Sequence, residues 1–394
     1  MRHFNDWITE YLRFTSETEP TTLYRLYAAI YGISASLQRK CWINWHEEIY
    51  PNVYLAFAGP SGSRKNTAIN PIQKMLREIT DVRISPLASR RGLSLAMEKA
   101  KQDTPYTNSP SGILVHSSLA VIATELAVLF GRDSEDMIKN LVNWYDCQAD
   151  FDYLTATQGQ DKVIGVCLTM AGGITPELIS SSIKRDVVGT GLFSRMMFIF
   201  APRKGKIDIF PFKNKKDLDI ETKLIEDLYT INKMVGYFTI TEGFMDKYAP
   251  WYTEHDAKGV FRNTPLSSYS ERRQVHLLKL CMISSASRGD SFEITAEDFD
   301  RVLSWLILAE KEMLKPFSGF GKNELAQFMQ PILASIVLDK ETSTSKLLNE
   351  FYNDLNRDEL MKIMWTLQQM GEVKMERKGN DFKVVKVNNG EQTQ

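Results

Sequence analysis

The chain has 394 residues, 43% of them hydrophobic, and carries 48 Lys+Arg against 49 Asp+Glu for a formal net charge of −1. That length predicts two or three domains, and ordinary hydrophobicity with balanced charge predicts a soluble globular protein. It excludes a wholly basic nucleic-acid coat, though not a local basic groove.

Cys41, Cys147, Cys167 and Cys281 are scattered with no CxxC pair, which supports neither a zinc ribbon nor a disulfide framework. Residues 1–10 are polar and no apolar run approaches the ~18 residues of a membrane span. No signal peptide and no membrane segment are read, and a cytoplasmic location is expected.

Residues 1–48 are expected as an N-terminal helical segment. Thr21-Thr22 caps a run to Leu37 with Leu23, Leu26, Tyr27, Ile30 and Tyr31 at helical spacing. An apolar strand, Val53 to Ala58, leads into Gly59-Pro60-Ser61-Gly62-Ser63-Arg64-Lys65-Asn66-Thr67 and then an amphipathic helix to Ile79. A short strand is expected at 82–84, a helix at 92–102, separate strands at 112–116 and 119–123, a helix at 134–145, and strands at 163–170 and 196–201. Apolar strands alternating with helices predict a parallel sheet covered on both faces, so 49–216 reads as an α/β core. Helices then dominate (217–235, 243–256, 270–287 and 296–314), giving a helical lid over 217–316. Phe317 to Gly321 reads as a linker. Residues 322–389 read as three short helices and a hairpin turning at 378–381, the pattern of a winged helix, before a polar tail at 390–394.

Strand, Gly-rich turn and helix are the context of a phosphate-binding P-loop. Backbone N–H groups and the helix N-terminus make an anion cradle, and the lysine, here Lys65, reaches the terminal phosphates. Against the pattern G-x-x-x-x-G-K-[ST], Arg64 stands at the second glycine and Asn66 at the hydroxyl that holds Mg²⁺. An amide oxygen can ligate a hard cation, and Thr67 is the substitute if the loop shifts.

An ATPase also needs an acid to position water. The strand Leu119 to Ala123 ends in Thr124-Glu125, and it is expected beside the P-loop strand. Glu125 is the candidate base and Thr124 the residue beside the metal. The other reading is that Glu125 merely opens the next helix. Thr175, after Gly172-Gly173, is a candidate γ-phosphate sensor with Thr169 behind it; a Gly-Gly turn capping Pro176-Glu177 explains the same residues. Arg195 follows a Gly-rich stretch and precedes a buried strand, where it can be offered to a neighbouring subunit as an arginine finger.

Gly189 to Phe200 resembles the "L-L-S-R-F" arginine-finger segment of minichromosome-maintenance (MCM) helicases. Ser270 to Leu280 resembles their sensor-2 helix, with Arg273 on the sensor-2 arginine. MCM-like AAA+ ATPases of phages and mobile elements are more similar still. Pro51-Asn52, Gly59 to Lys65, His116-Ser117-Ser118 and Glu125 to Gly131 match their "iyPN…GPSGsrK" and "hSS…sELavfLG" segments. The resemblance covers about residues 20–315, and Thr124 departs from the family's aspartate.

It implies an AAA+ P-loop NTPase using ATP and Mg²⁺, catalytic roles for Glu125, Arg195, Thr175 and Arg273, and a homo-oligomeric ring, expected as a hexamer, with ATP between subunits. It also implies action on single-stranded or forked DNA, with a primase or initiator as partner. The altered P-loop leaves a second reading open, a non-motor nucleotide switch such as a loader, initiator or regulator. Two segments are candidate DNA contacts. Arg203, Lys204, Lys206, Lys213, Lys215 and Lys216 interleave with Phe210 and Phe212. Lys374, Arg377, Lys378, Lys383 and Lys386 lie on the expected wing.

Overall fold

The computed structural model describes residues 2–86, 89–130, 134–148, 150–155, 159–182, 191–208, 215–317, 325–336, 341–379 and 381–387. The chain divides into two compact units, Met1–Pro316 and Phe317–Gln394. The helical segment, core and lid expected from the sequence therefore lie in one unit.

In that unit α1 (Trp7–Phe14) and α2 (Thr22–Leu37) precede the sheet. Almost every side chain of α2 is buried, so this helix is apolar all round rather than amphipathic. A buried tyrosine needs a partner for its hydroxyl. Tyr24 donates to Ala58 O (2.5 Å), Tyr27 to Trp305 O (3.1 Å) and Tyr31 to Val121 O (3.0 Å). The helical spacing of the three pins α2 against two strands and a later helix.

The expectation of helix to residue 48 fails at β1 (Cys41–Asn44), which pairs with β2 (Glu48–Ile49). Next come β3 (Tyr54–Ala58), α3 (Lys65–Arg77), β4 (Ile84–Pro86), α4 (Arg90–Lys99), β5 (Lys101–Pro105) and β6 (Ile113–Ala123). Then follow α5 (Ser134–Tyr145), β7 (Asp150–Thr155), β8 (Gly159–Ile164), β9 (Val166–Ile174), α6 (Pro176–Ser182), the single turn α7 (Leu192–Arg195) and β10 (Met196–Phe200). The unit closes with α8 (Lys215–Asn232), β11 (Gly236–Ile240), α9 (Glu242–Lys258), α10 (Ser267–Arg288), β12 (Glu293–Ile294) and α11 (Ala296–Met313).

The central sheet runs β10-β3-β9-β6-β4, all parallel, with β5 antiparallel on β6. It is the parallel, helix-flanked α/β sheet expected. Its order corrects one expectation: β9, not β6, lies beside the P-loop strand β3, so the strand ending at Thr124-Glu125 is one strand removed. The two strands expected at 112–116 and 119–123 are one strand. The polar Ser117-Ser118 step between them is buried, and Ser118 Oγ accepts Arg39 N–H (3.1 Å) and meets His116 Nδ1 (2.9 Å). A second sheet, β12-β11-β1-β2, was not read from the sequence.

The second unit contains α12 (Ala326–Ser335), β13 (Thr342–Ser343), α13 (Thr344–Glu350), α14 (Arg357–Gln369), β14 (Val373–Lys378) and β15 (Asp381–Lys386). Three helices and a hairpin occur in the expected order, and β13 adds a third antiparallel strand. An Asn356–Glu359 capping box starts α14. Ile332, Leu347, Leu360, Met364, Leu367 and Val384 form a core of the unit's own. No helix among the described residues is long and apolar enough to cross a membrane.

Candidate functional site

The loop Gly59–Arg64 leaves the carboxyl end of β3 and enters α3. Gly59 N–H donates to Ile174 O (3.1 Å), and Ser63 N–H donates to Pro60 O (3.2 Å). A Cβ on Gly59 would lie 2.5 Å from Ala201 O and 2.7 Å from both Ser63 Oγ and Tyr24 Oη, so only glycine fits there. Helix α3 begins at Lys65 with no side-chain cap, leaving its first-turn N–H groups without the usual acceptor.

Arg64, where the pattern has glycine, sits at φ 66. A left-handed backbone costs a side-chain-bearing residue about 1–2 kcal/mol. Its guanidinium Nε lies 2.5 Å from Glu19 Oε2, and Glu19 Oε1 also takes Lys204 at 2.5 Å.

Lys65 Nζ folds back on the loop, donating to Gly59 O (2.6 Å), Pro60 O (2.9 Å) and, at longer range, Ser63 Oγ (3.4 Å). Partial burial lowers its pKa, while the Glu177 and Glu125 carboxylates pull it back up. Two acids therefore act on this ammonium.

The site converges on Gly173. A Cβ there would stand 3.1 Å from Thr124 O, 3.3 Å from Asn66 Oδ1 and 3.5 Å from Lys65 Cε. Residues from the end of β6 and the start of α3 thus meet over β9. Gly172 sets the strand spacing, since its Cβ would fall 2.7 Å from Ala123 Cβ and 2.8 Å from Ala123 O. Thr175 Oγ1 accepts Leu178 N–H (3.3 Å) at the start of α6, the helix-capping arrangement. Thr169 is buried against Ser34 and Val53.

The two arginines lie elsewhere. Arg195 has an 8% exposed side chain, pairs with Asp146 (Nη2 to Oδ2, 2.5 Å) and donates to Gly191 O (3.0 Å). Arg273 makes a bidentate pair with Glu310 (2.6 and 2.8 Å) and lies 5.3 Å from the Trp251 ring centroid. None of these contacts is with Gly59–Thr67. His276 braces the region, with Nε2 2.9 Å from Ser194 O and Nδ1 3.1 Å from Tyr145 Oη.

In the basic stretch after β10, Lys204 pairs with Glu19 and Lys206 with Glu17 (2.6 Å), so these two cations are engaged within the chain. Phe210, Phe212 and Lys213 lie outside the described residues. In the second unit Lys383 pairs with Glu341 and Lys386 donates to Leu333 O (3.0 Å), while Lys374, Arg377 and Lys378 are exposed.

Sequence reasoning missed Glu19, Asp146 and the reach of Glu177 to Lys65. Glu177 had a signal, a first-turn acid after Gly172-Gly173 and Thr175; Glu19 and Asp146 had none, because their partners are distant in sequence. No group of three or more His, Cys, Asp or Glu suited to a metal occurs among the described residues. No protein-family model matches the chain, and no curated protein sequence matches it significantly.

Proposed function

We propose that this chain is a P-loop ATPase of the MCM-like AAA+ type. It assembles as a ring that moves along or unwinds DNA in replication of a phage or mobile element, with ATP between subunits and a winged helix as the second unit. The observation that carries the reading is the meeting of Lys65, Asn66 and Thr124 over Gly173, beside a helix N-terminus that no side chain caps. Open parallel sheets bind ligands beyond the carboxyl ends of their strands, where the strand order reverses. From β3 the chain crosses to β4 at one edge and later returns to β10 on the other side of β3.

On this reading the loop and first-turn N–H groups hold the phosphates. Lys65 exchanges the Gly59 and Pro60 carbonyls for terminal phosphate oxygens, and Glu125 orients the attacking water. The residues fit a Mg²⁺ that would be bound mostly by phosphates and water, with Asn66 Oδ1 and Thr124 O the protein oxygens near Gly173. Such an ion, when bound, neutralises charge developing on the phosphates. Lys65→Ala tests the assignment: nucleotide binding and turnover are expected to vanish, and unchanged turnover would show that this loop is not the phosphate site.

The non-motor switch is the second reading, and the burial of Arg195 favours it, because a finger acting in trans has to leave its own chain. Turnover stimulated by single-stranded DNA supports the motor. Nucleotide binding without turnover supports the switch.

A further inference from the structure

Cys147 and Cys167 meet inside the first unit, away from the loop site. The segment 145–148 is tied along the start of β9 by three donors. Asn52 Nδ2 donates to both Tyr145 O (2.9 Å) and Leu168 O (3.1 Å). Arg39 Nη1 donates to both Cys147 O and Val166 O. Val166 N–H donates to Gln148 O (3.3 Å). One direct backbone bond and two bridging side chains thus set these segments side by side, the arrangement a disulfide between them needs. Both thiols are free, and they pack in one buried cluster with Tyr50.

The position is unusual for a cysteine. Cys147 sits at φ 51, in the left-handed region that favours glycine. A strained backbone at a reactive side chain is an observation that asks for a role. Cys147 also lines a cleft of about 680 Å³ with Tyr50, Asp146, Arg272 and Lys279, which gives a small molecule a route to it. Burial pushes the Cys147 thiol up, but its hydrogen bond with Cys167 and the Lys279 and Arg39 cations outweigh this and bring it below the ordinary value. The same hydrogen bond, with burial, pushes Cys167 well up. Cys147 lines that cleft and Cys167 does not, so Cys147 is placed to meet an oxidant first and Cys167, packed beside it, to resolve.

We propose that Cys147 and Cys167 are an oxidation site that closes to a reversible disulfide on reaction with a hydroperoxide. The Cys147 thiolate attacks one peroxide oxygen, the O–O bond breaks, and the departing oxygen takes a proton and leaves as water from hydrogen peroxide or as the alcohol from an alkyl peroxide. Cys147 is oxidised to a sulfenic acid. The Cys167 sulfur then attacks the Cys147 sulfur, the S–O bond breaks, and hydroxide leaves with the Cys167 proton as water. Two thiols and one hydrogen peroxide give one disulfide and two waters. In a reducing compartment such bonds are transient and serve as sensors. Because Cys147 follows Asp146, the bond fixes the segment whose carboxylate holds Arg195 and Arg272.

The test treats the full chain with hydrogen peroxide, alkylates it in denaturant and maps the peptides by mass spectrometry. The expected result is a fall from four alkylatable thiols to two, a Cys147–Cys167 linked peptide, and recovery of all four after a dithiol reductant. Cys41 and Cys281, buried with raised pKa values, remain reduced as internal controls. Cys147→Ala is expected to leave Cys167 reduced under the same treatment. Four free thiols after peroxide, a link to Cys41 or Cys281, a link between chains, or oxidation of Cys147 to the sulfinic acid without a link each overturns the proposal. So does oxidation of Cys167 in the Cys147→Ala chain.

Discussion

Arg195 is held by Asp146 of its own chain, with Nη2 2.5 Å from Oδ2 and Nε 3.3 Å from Oδ1. The same carboxylate takes Arg272 Nη1 at 3.0 Å. Asp146, just beyond α5, therefore joins α7 to α10. An arginine that acts on a neighbour's nucleotide must first leave this pair. The second cation eases the release, because Asp146 keeps a partner when Arg195 departs.

Arg195→Ala separates the two roles. On the ring reading the variant binds ATP and hydrolyses it more slowly by about 10³–10⁵. Mixing it with Lys65→Ala then restores activity, since one subunit supplies the pocket and its neighbour the finger. Turnover and denaturation are measured side by side. A stability loss smaller than the ~3–5 kcal/mol of a stranded buried charge, since Asp146 keeps Arg272, with normal turnover per folded molecule, would identify Arg195 as a tether and favour the switch.

Gly172 and Gly173 are adjacent yet are expected to respond differently to alanine. At Gly172 the new methyl meets Ala123 Cβ and backbone oxygen within 2.8 Å, and neither can move without parting β6 from β9. Overpacking of that kind costs about 1–3 kcal/mol or more. At Gly173 the nearest atoms are 3.1–3.5 Å away and two of the three belong to side chains. Gly173→Ala is expected to melt close to the parent and to bind nucleotide more weakly. Equal melting temperatures for the two variants, or full nucleotide affinity in Gly173→Ala, would count against the site geometry.

The parts of the fold set by local pattern were legible in the sequence. The apolar run Val53–Ala58 before a glycine loop, the helix at 134–145 and the closing hairpin follow from periodicity and turn residues, and each is present. Parts set by distant partners were not. The insertion of β9 between β3 and β6 depends on how closely Gly172 lets two strands approach, which a linear reading does not contain. The strands β1 and β11 exist because they pair with each other across nearly 200 residues. At the site, the identity of Lys65 and Asn66 was readable from the loop, but the ion pairs that engage Arg64, Arg195 and Arg273 were not. Each of those arginines has its acid in another element, at Glu19, Asp146 and Glu310.

Two buried histidines make stability depend on pH. His116, between Thr104 and Ser118, and His276, between Ser194 and Tyr145, are both lowered to about 3, chiefly by burial. In the unfolded chain both titrate near 6.5. As pH falls below that value the unfolded state takes up protons that the folded state refuses, so stability is present above 6.5 and is lost on the way to 3. The slope is at most about 1.4 kcal/mol per pH unit for each histidine. Urea unfolding at pH 7 and pH 5 is the measurement, with His276→Gln expected to lose roughly half of the difference. A parent protein equally stable at both values would show that the histidines are protonated when folded.

Glu125→Gln is the direct test of hydrolysis at this site. Glu125 follows Thr124, whose carbonyl faces Gly173, and its charge acts on Lys65. The amide is nearly isosteric and cannot take a proton from water. ATP binding is expected to persist while turnover falls by about 10²–10⁴, the usual worth of a general base. Glu177 also acts on Lys65, from the first turn of α6, and provides the comparison. If its role is only to balance the ammonium and start the helix, Glu177→Gln loses less turnover than about 10²-fold, below the range of a base. Both variants are measured for bound nucleotide by equilibrium binding and for turnover by phosphate release. A large loss in Glu177→Gln with little change in Glu125→Gln would move the base one strand over, from the end of β6 to the start of α6.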